Sequence, residues 1–151
     1  MAVGPTAGSK LYIAPPGSIP VSPDAYIEIG EIADLRSFGR QYNKITSEAV
    51  GDRKVRKYKG TYDDGTMTLK LNRDPSDTGQ GDLQDAVDSD DDYQFKVVLN
   101  DDTVALTIAT TITFAAKVMS YTTELGGPNN VTQATAVLEI QSGTIVETAA
   151  H

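Results

Sequence analysis

Apolar and polar residues alternate over most of this chain, with the period of two that indicates β-strands with one buried face. The clearest run places apolar residues on even positions, namely Val104, Leu106, Ile108, Ile112, Phe114, Ala116 and Val118. The odd positions of this run are mostly Thr, Ala and Lys, so the pattern predicts long strands with one small, polar face and a bend near 109–110. Further alternating runs predict strands over 10–14, 26–32, 66–71, 93–99, 131–141 and 143–146.

One segment breaks the alternation and favours a helix, at about 76–88. Leu83, Ala86 and Val87 stand at the spacings i, i+3 and i+4 of one helix face. Asp82 or Ser76 is available as the N-cap. The helix is short, and it is the only one that the sequence favours.

Two further segments lack regular alternation. Residues 1–24 are rich in Pro, Gly and Ser, which predicts an N-terminal arm that crosses the surface around the strand at 10–14. Residues 43–64 predict a long exposed loop or an extended hairpin, and Asp64–Gly65 is a type I′ turn signal.

These elements define a fold class. About seven strands and one helix in 151 residues predict a mainly β domain, an antiparallel β-sandwich or barrel with one flanking α-helix and a long extended loop. The domain is expected at 25–148, between the arm and a short C-terminal tail at 149–151. The start of the chain lacks the apolar core of a secretory signal, and no membrane insertion is expected.

Composition argues against enzyme chemistry. The chain has no cysteine, and its single histidine is the last residue, His151, so thiolate and histidine catalysis are not expected. Phosphate-binding glycine motifs are absent, and carboxylates alone are too unspecific to indicate a hydrolase. We therefore predict no catalytic residue and no cofactor.

Charge is distributed unevenly along the chain. The net charge is −8, yet residues 53–59 hold five of the 13 basic residues, whereas residues 74–102 hold ten acids and one lysine. The basic run is a solvated loop, a nucleic-acid patch, or a surface that meets the acidic stretch of another copy, and the charge segmentation favours the last. Asp88 to Asp92 suggest calcium, but Tyr93 and Leu99 replace the Gly and Glu that an EF-hand requires, so no metal site is predicted.

The order of these features resembles the tail tube (major tail) proteins of long-tailed, non-contractile bacteriophages. The runs that carry the resemblance are IEIGEIADLRSFG at 27–39, KGTYDDGTMTLKLNRDPSDTGQGDLQDAV at 59–87, YQFKVVLNDD at 93–102, FAAKVMSYTTEL at 114–125 and TQATAVLEIQSGTI at 133–145. The second run contains a strand, a D-x-x-D-x-G-Q motif and a helix. Together these runs cover most of the chain.

The resemblance implies a structural role in the virion tail, with assembly in the host cytoplasm. Six copies would form a ring, rings would stack into a tube around a tape-measure protein, and tail tip and terminator proteins would be further partners. Genomic DNA would pass through the lumen without specific binding. The alternatives are another virion or secretion-tube component, such as a head–tail connector or terminator, and a small ligand-binding β-sandwich.

Three sets of residues are candidates for these roles. The expected inter-ring contacts are Arg53, Lys54, Arg56, Lys57, Lys59, Asp63 and Asp64. The expected acidic partner segment contains Asp82, Asp85, Asp88, Asp90, Asp91 and Asp92. The candidates for the lumen lining are Thr107, Thr111, Thr113 and Lys117, or Glu28 and Glu31.

Overall fold

A computed structural model describes residues 7–17, 25–100 and 109–149, and within these ranges the chain forms ten strands and one helix. In chain order the elements are β1 (Lys10–Ala14), β2 (Ile27–Ile29), β3 (Ile32–Leu35), β4 (Gln41–Ser47), β5 (Arg56–Asp63), β6 (Thr66–Asn72), α1 (Thr78–Val87), β7 (Tyr93–Val98), β8 (Thr111–Glu124), β9 (Gln133–Ile140) and β10 (Val146–Thr148). Adjacent strands are antiparallel throughout. The mainly β prediction is confirmed.

Seven strands follow one path through the main sheet, in the order β2-β1-β7-β8-β9-β6-β3, and β10 pairs with the start of β8. The two edge strands, β2 and β3, are separated in sequence by Gly30 and Glu31 alone. Three Cα steps span at most about 11 Å, so the sheet must curl until its edges come close together. The result is a barrel-like sheet around one core.

The core consists of the inward faces that the alternation predicts. Its members include Leu11, Ile13, Ile29, Met67, Leu69, Leu71, Phe95, Phe114, Ala116, Val118, Ala134, Ala136 and Leu138. Val104, Leu106 and Ile108 lie outside the described residues. Leu83 and Ala86 of α1 complete the core, so the helix packs against the sheet as expected.

Three local predictions are wrong. The N-cap of α1 is Asp77, whose side chain accepts the Gln80 N–H at 2.9 Å, whereas Asp82 lies inside the helix. The last strand begins at Val146, three residues later than expected, because Gly143 turns the chain with a φ of +85°. Asp64–Gly65 is not a type I′ turn, since that turn needs positive φ at both residues and only Gly65 has it.

The N-terminal strand belongs to the barrel and not to an arm. β1 lies between β2 and β7, and Leu11 and Ile13 are buried in the core. The rest of the predicted arm falls largely on residues 1–6 and 18–24, which lie outside the described ranges. The one helix of the described residues, α1, is not long and apolar enough to cross a membrane.

Candidate functional site

Strands β4 and β5 form an extended hairpin that, within the described ranges, pairs with no other strand. Every residue of the two strands is exposed except Gly60, which is half-buried. A two-stranded hairpin on its own is at best marginally stable in water. The hairpin also exposes large apolar side chains, namely Tyr42, Ile45, Tyr58 and Tyr62. Such a surface suits an interaction with another protein.

The hairpin has two chemically different faces. Cross-strand register places Lys44 opposite Lys59 and Ile45 opposite Tyr58. Because side chains alternate along a strand, Lys57 shares the face of Lys44 and Lys59. We call this the lysine face; the opposite face carries Ile45, Tyr58 and Arg56.

The predicted cationic residues are all exposed, but they are not equivalent. Arg53 and Lys54 lie in the turn between the strands, and Arg56 pairs with Asp52 at 3.3 Å. Lys59 Nζ lies 4.9 Å from the centre of the Tyr42 ring. Sequence reasoning missed Lys44, because its position opposite Lys59 depends on the strand register.

Asp63 and Asp64 are adjacent in sequence but differ in their exposure to solvent. Asp63 is exposed, and its carboxylate accepts the Gly65 N–H at 2.9 Å. Asp64 is fully buried, so the prediction that it contacts another ring is wrong. Its carboxylate accepts Arg40 Nε–H at 2.9 Å and the Gly143 N–H at 2.7 Å, which connects the base of the hairpin to the turn before β10.

Replacing Asp64 by Asn is expected to cost the most stability near neutral pH. The Arg40 guanidinium holds the pKa of Asp64 below its ordinary value, against the opposing effect of burial. A carboxyl with a lowered folded pKa stabilises the fold above its unfolded pKa of about 3.9 and loses this contribution as the pH falls through the folded pKa. Urea unfolding should show the difference between wild type and Asp64→Asn shrinking below about pH 4; a difference independent of pH would contradict the role of the carboxylate charge.

The predicted acidic segment lies on α1 and in the turn after it. Asp85 and Asp88 are exposed and Asp82 is half-buried, and the three stand three residues apart. Burial raises the pKa of Asp82, and the nearby Asp85 carboxylate adds to this. Of the six predicted residues, Asp92 alone has an ion pair within the described part of the chain, and its partner is Lys117.

Asp90 and Asp91 are exposed in the turn between α1 and β7. No group of three or more potential ligands among the described residues could hold a metal ion. The turn begins at Asp88, which is the C-cap of α1.

The hairpin and the start of α1 adjoin opposite ends of one strand. Two residues separate the hairpin from β6, and five separate β6 from α1. The chain then returns along the sheet, because Tyr93 at the start of β7 is in register with Ala116, and Ala116 with Ile140. The Ile140 N–H donates to the Gly65 carbonyl just before β6, so the acidic turn after α1 lies toward the hairpin end of the sheet. The subunit therefore presents two separate charged surfaces, the basic, partly apolar hairpin and the acidic run on and after α1.

The lumen candidates that the structure describes lie mainly on the outer face of the main sheet. Register connects Glu28 to Tyr12, Tyr12 to Lys96, and Lys96 to Thr113 across four strands. Thr111 and Lys117 share the face of Thr113 by alternation. Glu31 is exposed in the β2–β3 turn, with a φ of +60°. Thr107 lies outside the described residues.

Lys96 is a feature of this outer face that sequence reasoning missed. Its Nζ lies 4.5 Å from the centre of the Tyr12 ring and 4.6 Å from that of Tyr26. Burial lowers the pKa of Lys96. Tyr12 belongs to β1 and Tyr26 stands just before β2, so the contact of their rings with Lys96 becomes apparent only from the strand order.

The D-x-x-D-x-G-Q motif at 74–80 is structural. Asp77 Oδ2 accepts the N–H of Gly30 and that of Gln80. The buried Gln80 amide donates to the carbonyls of Gly30 and Asn72 and accepts the Asp74 N–H. Gly79 brings α1 against the backbone of β2. The motif thus connects the β2–β3 junction, the end of β6 and the start of α1.

No protein-family model and no curated protein sequence matches this chain. Solved structures do match it. A chain of the anti-feeding prophage baseplate, 6-fold symmetrised, is 14% identical with a TM-score of 0.74, over 99% of this chain and 98% of that chain.

Two further solved structures also match this chain. A chain of the sheath/tube terminator of the extracellular contractile injection system PVC, in the extended state, is 14% identical with a TM-score of 0.72, over 99% of both chains. The SPP1 tail tube is 14% identical with a TM-score of 0.66, over 96% of this chain and 80% of that chain. At this identity the likeness establishes the fold, which is mainly β, antiparallel and tail-tube-like, with one flanking helix.

Proposed function

We propose that this chain is the tube subunit of a long, non-contractile, siphophage-type tail. Six copies form a ring, and rings stack head to tail into a hollow tube around a tape-measure protein. Tail tip and terminator proteins close its ends, and the genome leaves through the lumen. The protein assembles in the host cytoplasm and resides in the virion tail.

The observation that supports this proposal best is that the subunit carries two different charged surfaces. One is the basic, exposed hairpin, and the other is the acidic run on and after α1. A contact between two different surfaces is heterologous, and it extends without limit unless a rotation closes it. Opposite charges on the two surfaces favour one orientation of the next copy. A stack of rings needs this kind of contact.

The outer face of the sheet is proposed as the lumen lining. It carries Glu28, Thr111, Thr113 and Lys117, which are small or charged. The net charge of −8 gives the assembly a field that repels phosphate. A conduit for DNA should release what it carries, so a lining of this kind suits the role.

A second candidate is a ring that terminates a tube. A sheath/tube terminator structure is among those that share the fold, over 99% of both chains, which supports keeping this alternative. A terminator and a tube subunit differ in one testable respect. The terminator forms a single closed ring that does not stack.

Electron microscopy of concentrated protein tests the proposal directly. We expect six-fold rings that stack into tubes in low salt. Wild-type protein that forms single rings and never stacks would favour the terminator, and protein that stays monomeric at every concentration would contradict both.

Deleting the hairpin should separate folding from stacking. Residues 42–62 are replaced by Asn-Gly, a turn that suits the adjacent Gln41 and Asp63 strand ends. Because the hairpin is exposed along both strands, the shortened subunit should keep its barrel and its cooperative thermal unfolding but form no tubes. Tubes of normal length from this variant would show that the hairpin is not the stacking contact.

A further inference from the structure

We infer that the hairpin docks through its lysine face, and that its partner on a second copy is the stripe formed by Asp82 and Asp85 of α1 and by Asp88 at its C-cap. This inference rests on the proposed head-to-tail assembly. It goes further by choosing one face of the hairpin and one part of the acidic segment. It also assigns Lys44 to the contact and leaves the hairpin turn and residues 90–92 outside it.

The lysine face brings like charges together in the free subunit. Lys44 and Lys59 are directly opposite each other, and like charges at such a pair destabilise a sheet. Lys57 adds a third charge to the same face. Within the described ranges, no carboxylate forms an ion pair with any of these three lysines. An anionic partner would remove this repulsion.

The helix carries the opposite repulsion. Like charges three residues apart on a helix destabilise it, and Asp82, Asp85 and Asp88 have this spacing. Residues 78–87 contain no lysine or arginine, so the helix supplies no cation of its own. Besides burial, which is the larger cause, the Asp85 carboxylate raises the pKa of Asp82.

The spacings of the two surfaces match. The Cβ atoms of directly opposite strand residues lie about 4.5–5.5 Å apart. Residues three apart on one side of a helix are separated by about 5–6 Å. Two lysines of the hairpin can therefore meet two aspartates of the helix one to one. The two surfaces share no residue, so one subunit can take part in both contacts.

The other charged residues of the hairpin and of the acidic segment are not assigned to the contact, each for a structural reason. Arg56 points to the opposite face and pairs with Asp52. Asp92 pairs with Lys117 inside its own subunit. Arg53 and Lys54 lie in the turn and share neither face by strand register. The proposed contact therefore involves fewer charged residues than the charge distribution of the sequence suggests.

A charge-swap series tests the inference. Lys44→Glu/Lys59→Glu and Asp85→Lys/Asp88→Lys should each lose tubes, since each places like charges across the contact. All four substitutions together should restore them. Two controls change the same charge elsewhere: Arg53→Glu/Lys54→Glu for the hairpin and Asp90→Lys/Asp91→Lys for the acidic segment. Both controls should assemble like wild type in sedimentation and electron microscopy, and thermal unfolding verifies that each variant folds.

Four outcomes would overturn the inference. The first is wild-type-like assembly of either double variant, and the second is a folded four-fold variant that never assembles. The third is loss of assembly in a control equal to that in its matched variant. The fourth is binding of a DNA duplex by wild type at about 150 mM salt that Lys44→Glu/Lys59→Glu abolishes, which would identify the lysine face as a nucleic-acid surface.

The same series separates this inference from the proposed function. If wild type forms tubes and the charge-swap variants form them equally well, the tube function is supported and the assigned contact is contradicted. If wild type forms head-to-tail oligomers that the double variants lose and the four-fold variant restores, but never forms tubes, the contact is supported and the tube function is contradicted. Wild-type protein without any self-association would contradict both.

Discussion

The Gly79→Ala variant is expected to lose about 3 kcal/mol of unfolding free energy, even though alanine is the better helix former. A Cβ atom at Gly79 would lie 2.2 Å from the Glu28 carbonyl oxygen and 2.7 Å from Ile29 Cα. These are backbone atoms of β2, so no side-chain rotation relieves the contact. The helix must move away from the strand, and Leu83 and Ala86 must leave their packed positions in the core.

Gly81→Ala provides a matched control two residues further along the same helix. Among the described residues, nothing lies within 4 Å of a Cβ at Gly81. The substitution should therefore stabilise the protein by roughly 0.5–1 kcal/mol, because glycine in a helix interior costs about this much relative to alanine. Urea unfolding of the two variants should give shifts of opposite sign. Equal effects would show that close approach to β2 is not what position 79 requires.

The strands and the helix were predictable because they depend on local pattern. One buried face forces the alternation that places Met67, Leu69 and Leu71 together, and all three are fully buried in β6. The helix at 78–87 follows from Leu83 and Ala86 in the same way. Such patterns are visible in the sequence because burial of apolar surface supplies most of the stability of each element.

The wrong predictions concern residues whose role depends on distant parts of the chain. Asp77 is the N-cap and not Asp82 or Ser76, and it also accepts the N–H of Gly30, 47 residues earlier. β1 is in the barrel because Lys10 pairs with Val98. Asp64 is buried because Arg40 and Gly143 supply its hydrogen bonds. No window of sequence contains these partners together.

The candidate surfaces were predictable in charge but not in geometry. The basic and acidic runs are visible in the sequence, whereas the lysine face requires the register that brings Lys44 opposite Lys59. The motif that carried the resemblance to tail tube proteins holds the fold together through hydrogen bonds within the subunit. A resemblance based on it indicates the fold more directly than it indicates the function.

The Gln80→Leu variant should lose about 3 kcal/mol of unfolding free energy through lost hydrogen bonds and not through lost volume. The Gln80 side chain is 2% exposed, and leucine has nearly its size. Its amide nitrogen donates to the Gly30 carbonyl at 3.1 Å and to the Asn72 carbonyl at 3.0 Å, and its oxygen accepts the Asp74 N–H at 2.9 Å. Leucine leaves all three backbone groups without this partner, and each buried polar group that stays unpaired costs about 1–3 kcal/mol.

Gln84→Leu, one turn further along the same helix, is the matched control. Gln84 is exposed, so the same substitution should change the unfolding free energy by less than about 0.5 kcal/mol. Urea unfolding measures both variants, and similar losses would show that helix propensity, and not the connection to Gly30 and Asn72, determines the effect. Because that connection also fixes where α1 begins, Gln80→Leu should weaken assembly even under conditions in which the variant is fully folded, whereas Gln84→Leu should not.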